Sequence, residues 1–126
     1  MLVKYKHFIN ISTIQSFMKN ILLLEDDLIL GETIKEILED EDYIVTWVKD
    51  GSNASNETFE KSFDLYLFDV NVPFINGFEL LESLRQNKDI TPAIFITALI
   101  DIENLKKGFS VGADDYIRKP FDANEL

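Results

Sequence analysis

The chain has no cysteine, a single histidine, and 12 basic residues against 23 acidic ones. Without cysteine there is neither a disulfide framework nor a thiolate metal site, which fits a reducing compartment and makes the cytoplasm the expected location. His7 stands alone, with no ligand partners around it, and reads as structurally neutral. A formal net charge of -11 argues against direct nucleic-acid binding by this segment, because a grip on phosphate backbones needs clustered Lys and Arg. Any DNA contact would require another domain. No apolar run approaches the roughly 18 residues that span a bilayer, so no membrane segment is expected. What remains is 126 residues with 46% hydrophobic content, enough for one compact core and too little for two.

Residues 1–17 differ in character from the rest of the chain. Leu2, Val3, Phe8, Ile9, Ile11, Ile14 and Phe17 hold no clean period and carry no capping signal, and no small-residue cleavage site marks a secretory signal. Met18-Lys19-Asn20 before a buried strand resembles a natural start. The expected division is therefore an N-terminal extension over 1–17 and a domain over 18–126. The extension reads either as an upstream addition or as an arm packed on the domain or on a second copy.

From Ile21 onward strands and helices alternate. Ile21-Leu22-Leu23-Leu24 reads as a buried strand, followed by a helix with the apolar stripe Leu30, Ile34, Ile37 and Leu38, and with Asp27 as its cap. The acidic run Glu39 to Asp42 reads as a solvated helix end. Tyr43 to Val48 is β-branched and aromatic, a second strand in which Trp47 is a packing residue. After the Asp50-Gly51 turn, residues Ser52 to Lys61 form a weakly amphipathic helix with Ala54 and Phe59 as core candidates. Leu65 to Phe68 is the third strand. Asn76-Gly77 then leads into a stripe of Leu80, Leu81 and Leu84, and Pro92 introduces the fourth strand. Ile102, Leu105 and Phe109 mark a fourth helix that Gly112 ends as a left-handed cap. Tyr116-Ile117-Arg118 is the last strand. Five βα units with the final helix largely missing predict a five-stranded, doubly wound parallel sheet, flavodoxin-like with strand order 2-1-3-4-5.

The ends of these strands carry the chemistry. The third stops at Asp69 and turns through Asn71 and Pro73, which places a carboxylate at the carboxyl end of a strand, where open parallel sheets bind ligands. Asp69 is the candidate reactive centre. The first strand stops at Glu25-Asp26-Asp27, the fourth at Thr97-Ala98 and the fifth at Lys119-Pro120. If these strands are neighbours, acids, a hydroxyl and an ammonium share one crevice. Two carboxylates about 5 Å apart repel by roughly 3 kcal/mol at an effective dielectric of ~20, so the cluster calls for a cation or for a raised pKa on one acid. Each residue alone has a plainer reading: a polar strand end or helix cap for Glu25, Asp26 and Asp27, strand packing for Thr97, core for Tyr116, a solvated surface charge for Lys119.

The blocks ILLLEDD, LYLFDVNVP, IFITA and GADDYIRKPF, in this order and spacing from about Met18 to the last residue, resemble the receiver domain of two-component response regulators. The wording of GADDYIRKPFDANEL is most similar to receivers that precede a winged-helix DNA-binding domain. The resemblance implies that Asp69 accepts a phosphoryl group from the phosphohistidine of a sensor histidine kinase. Glu25, Asp26, Asp69 and the backbone carbonyl of Asn71 would hold Mg²⁺, with Mn²⁺ as an alternative ion. Thr97 and Lys119 would bind phosphoryl oxygens while the small Ala98 leaves room, and the bond to Pro120 would be cis. Thr97 and Tyr116 would form a switch controlling an output domain absent from this chain, with transcription regulation as the implied outcome. The fourth-helix and fifth-strand face is then the candidate homodimer contact. On this reading the chain is a phosphoacceptor regulator, not an enzyme, though it assists its own phosphorylation and dephosphorylation.

Two other classes compete. A pseudo-receiver would keep the fold as a binding module without accepting phosphate, which the complete set of motif blocks disfavours. A Mg²⁺-dependent aspartyl-phosphate hydrolase normally carries a second acid two residues beyond its nucleophile, where this chain has Asn71. The side chain of Asn71 and Leu99 would flank the route of an attacking water, and Phe74 and Ile75 are large for the loop after Pro73. The near-absent fifth helix should leave an apolar flank, to be covered by the leader, a symmetry mate or a swapped element.

Overall fold

The computed structural model describes residues 19–98 and 102–119. Five parallel strands, β1 (Lys19–Leu24), β2 (Tyr43–Val48), β3 (Leu65–Asp69), β4 (Ala93–Thr97) and β5 (Asp115–Arg118), form one sheet in the order β2-β1-β3-β4-β5. Four helices connect them: α1 (Leu28–Asp40), α2 (Gly51–Glu60), α3 (Gly77–Gln86) and α4 (Ile102–Ser110). This is the expected doubly wound topology and strand order. The leader, Leu99, Pro120 with its peptide bond, and the segment after it lie outside the described residues, as do the side chains of Ile102 and Leu105.

The strands are continuous apolar runs because both faces of the sheet are covered. Alternate residues feed two cores. Ile21, Leu23, Leu65, Leu67, Ile94, Ile96 and Ile117 join Ile34 and Leu38 of α1 on one face. Leu22, Leu24, Tyr66, Phe68, Phe95 and Tyr116 join Ala54 of α2 and Phe78, Leu80, Leu81 and Leu84 of α3 on the other. Aromatic rings dominate the second core: Tyr66 stacks on Phe68 with centroids 5.0 Å apart, and Phe78 meets Phe95 edge-on at 5.0 Å.

The helix starts are set by side-chain caps. Asp27 accepts from the backbone N–H groups of Ile29 and Leu30, both at 3.0 Å, and Asp50 accepts from Asn53 at 2.8 Å. Asn76 and Glu79 form a reciprocal capping box that starts α3. Gly112 follows α4 with φ of +106°, a conformation that favours glycine, as expected of a left-handed cap.

One expectation fails in detail. Phe59 is not a core residue: its ring is 86% exposed, because α2 buries only Gly51 and Ala54. The helix is held by its cap and by close backbone packing instead, since a Cβ on Gly51 would lie 1.9 Å from the Ile75 carbonyl oxygen. Phe109 is half exposed, and its inward contact is an edge-on meeting with the Tyr116 ring at 5.3 Å.

Candidate functional site

β1, β3, β4 and β5 lie side by side, so their carboxyl ends open onto one rim. A pocket of about 430 Å³ at this rim is lined by Asp26, Asp27, Asp69, Asn71, Thr97, Ala98 and Lys119. Glu25 lies beneath it, fully buried, and ligand oxygens of Glu25, Asp26 and Asp69 fall within 4.8 Å of one another. Of the residues singled out from sequence, Tyr116 stands away from this cluster. It is buried one strand over, on β5, with its ring 5.5 Å from that of Phe95.

Local structure aims each group. Asp69 is the last residue of an entirely buried strand and is itself 4% exposed. Its backbone is approached closely by the first turn of α3: a Cβ on Gly77 would lie 2.6 Å from the Asp69 carbonyl oxygen, and the Gly77 N–H donates to the Val70 carbonyl at 2.9 Å. The Asn71 N–H donates to Asp69 Oδ1 at 3.3 Å. Lys119 leaves β5 and sets its ammonium between two acids, 2.9 Å from Glu25 Oε1 and 3.2 Å from Asp69 Oδ2. The other Glu25 oxygen, Oε2, accepts the Asp27 N–H at 3.1 Å.

Electrostatics at the pocket is unbalanced, because among the described residues one ammonium, Lys119, faces the four carboxylates of Glu25, Asp26, Asp27 and Asp69. Burial, partly offset by Lys119 and the Asp27 N–H and reinforced by the charge of Asp69, pushes Glu25 up to about 7. One acid of the group is thus raised, as expected, but burial is the main cause and repulsion by Asp69 the lesser one. Burial alone would lower Lys119, but Glu25 and Asp69 overcome it and raise its pKa, so the ammonium stays charged. A convergent set of hard carboxylate oxygens with excess negative charge in an open pocket fits a small divalent cation such as Mg²⁺, which takes oxygen ligands and keeps waters.

Three residues near the site carry roles that pattern reading did not find. Gly77 was legible as a turn residue, but not as the one that lets α3 start against the Asp69 backbone. Gly31, within α1, lies against the Trp47 ring, where a Cβ would come within 2.1 Å of Cζ2. Trp47 is the packing residue expected, yet its Nε1–H also donates to the Glu25 carbonyl oxygen at 2.9 Å. No periodicity signals a bond between residues 22 positions apart.

The fold and the pocket place the protein among doubly wound α/β domains that work at the carboxyl edge of a parallel sheet. Within that class, residues 21–126 match the response regulator receiver domain, and the chain belongs to that family. It is 46% identical over 109 residues to the transcriptional regulatory protein CrdR of Helicobacter pylori, covering 86% of this chain and 51% of that protein. It is 42% identical over 106 residues to the response regulator protein PmrA of Pseudomonas aeruginosa, covering 84% and 48%. The chain thus spans about half the length of these curated relatives. Among solved structures, the non-phosphorylated receiver domain of HemR from Leptospira biflexa shares 42% identity with a TM-score of 0.78, covering 85% of this chain and 86% of that one. A chemotaxis protein of Vibrio cholerae shares 28% identity with a TM-score of 0.82, covering 87% and 93%. No helix among the described residues is long and apolar enough to cross a membrane.

Proposed function

We propose that this receiver domain is a phosphoacceptor: Asp69 takes a phosphoryl group from the phosphohistidine of a sensor histidine kinase in the cytoplasm and thereby controls an output domain or partner, with transcription regulation as the outcome. The observation that carries the reading is the convergence of Asp69, the acidic pair, Thr97 and Lys119 on one rim.

In the transfer, an Asp69 carboxylate oxygen forms a bond to phosphorus as the phosphorus–nitrogen bond breaks. The leaving imidazole takes a proton, and the product is an acyl phosphate. Glu25, Asp26, Asp69 and the Asn71 carbonyl would hold Mg²⁺, or Mn²⁺ in its place. The ion, when bound, neutralises phosphoryl oxygens and the acids around them. Lys119 neutralises a further phosphoryl oxygen as a compact point charge, and its present contacts with Glu25 and Asp69 hold it at the rim. Thr97 lines the same pocket and supplies a hydroxyl, while Ala98 beside it leaves space for the transferred group. Transfer of this kind needs alignment and charge stabilisation more than covalent help, and these residues offer both.

The output is a change at the Thr97 and Tyr116 face. Thr97 moves toward the phosphoryl group and Tyr116 responds beneath α4, altering the α4 and β5 surface that serves as the candidate homodimer contact. Moving such an equilibrium from 1:99 to 99:1 takes about 5.5 kcal/mol of differential interaction, which several charge-assisted hydrogen bonds can supply.

The test is labelling. With Mg²⁺ and a small phosphodonor such as acetyl phosphate, mass spectrometry should show one added phosphate on the native chain and none on Asp69→Asn. Failure of the native chain to gain phosphate while it binds Mg²⁺ would favour the pseudo-receiver class instead.

A further inference from the structure

We infer that Trp47 is a positioning residue for the cation-binding carboxylates, acting through the backbone of Glu25. The inference rests on the proposed reading of Glu25, Asp26 and Asp69 as ligands, and it adds a residue outside the pocket to that site.

Trp47 lies on β2, the edge strand next to β1, and does not line the pocket. Both backbone polar groups of Glu25 are nevertheless tied to this strand. Its N–H donates to the Val48 carbonyl at 3.1 Å, and its carbonyl accepts the Trp47 indole N–H at 2.9 Å. The carboxylate beyond is tied at its two oxygens, by the Asp27 N–H and by Lys119. Glu25 has left the regular end of β1, Leu24, so its carbonyl sits just past the last strand residue. Without the indole, the peptide linking Glu25 to Asp26 would lose this anchor, and Asp26 is the exposed member of the acid pair, the one with fewest restraints of its own.

The indole is itself held in place. One side is pressed against α1 at Gly31, where even a Cβ would come within 2.7 Å of Nε1. Lys49 sets its ammonium 5.2 Å from the ring centroid. A helix interior normally disfavours glycine, and here the absent side chain makes room for the ring that reaches Glu25. A purely structural Trp47, packing α1 against β2, would need the ring but not the N–H donor.

That difference defines the experiment: titration of Mg²⁺ into the full chain by calorimetry, comparing the native protein with Trp47→Phe and with Gly31→Ala. Trp47→Phe keeps an aromatic ring and removes the donor, whereas Gly31→Ala keeps the donor and displaces it. Groups that orient metal ligands without touching the metal typically cost 10–100-fold in affinity when removed, and about tenfold weaker Mg²⁺ binding is expected for both variants. An affinity within about twofold of native in a folded Trp47→Phe chain overturns the inference, even if its melting temperature falls. A second readout needs no variant. The indole N–H resonance of Trp47, the only tryptophan in the chain, should shift in step with Mg²⁺ occupancy, and a resonance unmoved at saturation would also overturn the inference. If the native chain binds no Mg²⁺ at all, the ligand reading of the site fails first and the role of Trp47 falls with it.

Discussion

Glu25 is fully buried next to Asp69, and taking a carboxylate out of water raises the free energy of its charged form before any neighbour is counted. Lys119 and the Asp27 N–H recover only part of that cost, so the group sits at about 7 instead of its ordinary 4.5. Between these values the folded chain holds a proton that the unfolded chain has released, so stability present below about pH 4.5 is lost as pH rises and is gone above about 7. The loss attributable to Glu25 is about 3 kcal/mol, from about 1.4 kcal/mol per pKa unit. Urea denaturation without divalent cations should show this decline, Glu25→Gln should flatten it, and Mg²⁺ should raise stability more at pH 8 than at pH 5. A metal-free profile that rises from pH 5 to pH 7 in the native chain and is unchanged in Glu25→Gln would contradict the assignment. The position of Glu25 at a strand end was legible in the sequence, as was the need for one raised acid in the group. Which acid is raised was not, because burial depends on how Trp47, Val48 and Lys119 close over this one residue while Asp26 beside it stays in water.

Among the connecting elements, the loop from β3 to α3 is held in an unfavourable conformation. Phe74 has φ of +70°, yet its ring is 82% exposed and contributes little to the core. The left-handed region costs an L-residue roughly 1–2 kcal/mol, more than the chain entropy of about 0.5–1 kcal/mol that glycine adds, so Phe74→Gly should stabilise the domain by up to about 1 kcal/mol in urea titration. A destabilised variant would mean that the ring makes contacts its exposure does not suggest. At α4 the restriction is steric. A Cβ on Gly108 would fall 1.6 Å from the Tyr116 hydroxyl oxygen and 2.5 Å from Cζ, so the helix lies this close to β5 only because position 108 has no side chain. Gly108→Ala should cost about 2 kcal/mol in the native chain and instead gain about 0.5–1 kcal/mol in a Tyr116→Ala background, where the better helix former meets no ring. Equal effects in both backgrounds would show that the two residues are not coupled. The helix stripe read from sequence placed α4 correctly but gave no hint of this contact. Spacing reports which face of a helix is apolar, not how near it comes to a neighbour. Phe59 departs from its expected burial for a related reason, since a weakly amphipathic ten-residue helix leaves the buried face undetermined until the packing of Gly51 and Ala54 settles it.

Across the whole molecule, the two edges of the sheet divide their tasks. At the amino edge, opposite the acidic pocket, Arg85 joins the end of α3 to the entries of β4 and β5. Its guanidinium donates to the carbonyls of Asp89 and Thr91 at 2.8 Å each and to that of Gly112 at 2.9 Å. Asp89 in turn accepts from the Tyr66 hydroxyl at 2.5 Å and from the Thr91 hydroxyl at 2.7 Å. Burial alone would raise Asp89, but these donors overcome it and hold its carboxyl below the usual carboxylate range. Arg85→Ala leaves several carbonyls without their donor and should cost about 2–4 kcal/mol in stability. Mg²⁺ affinity measured on the folded variant should stay near native, because the removed contacts lie at the far edge. A large loss of affinity would mean that the edges are not independent. The order of the strands was legible because alternating βα units admit few topologies, and the convergence of the strand ends came with that order. The amino-edge clamp was not, because a lone arginine at the end of a helical stripe looks the same whether it faces water or gathers three carbonyls. β3 shows how strictly such a sheet joins construction to chemistry. Its residues alternate between the two cores up to Phe68, and the next position is Asp69. A slip of one residue against β1 or β4 would send each of those side chains to the opposite layer and carry the acid away from the rim in the same movement. On the proposed reading, a misassembled copy would therefore offer no acceptor at the pocket.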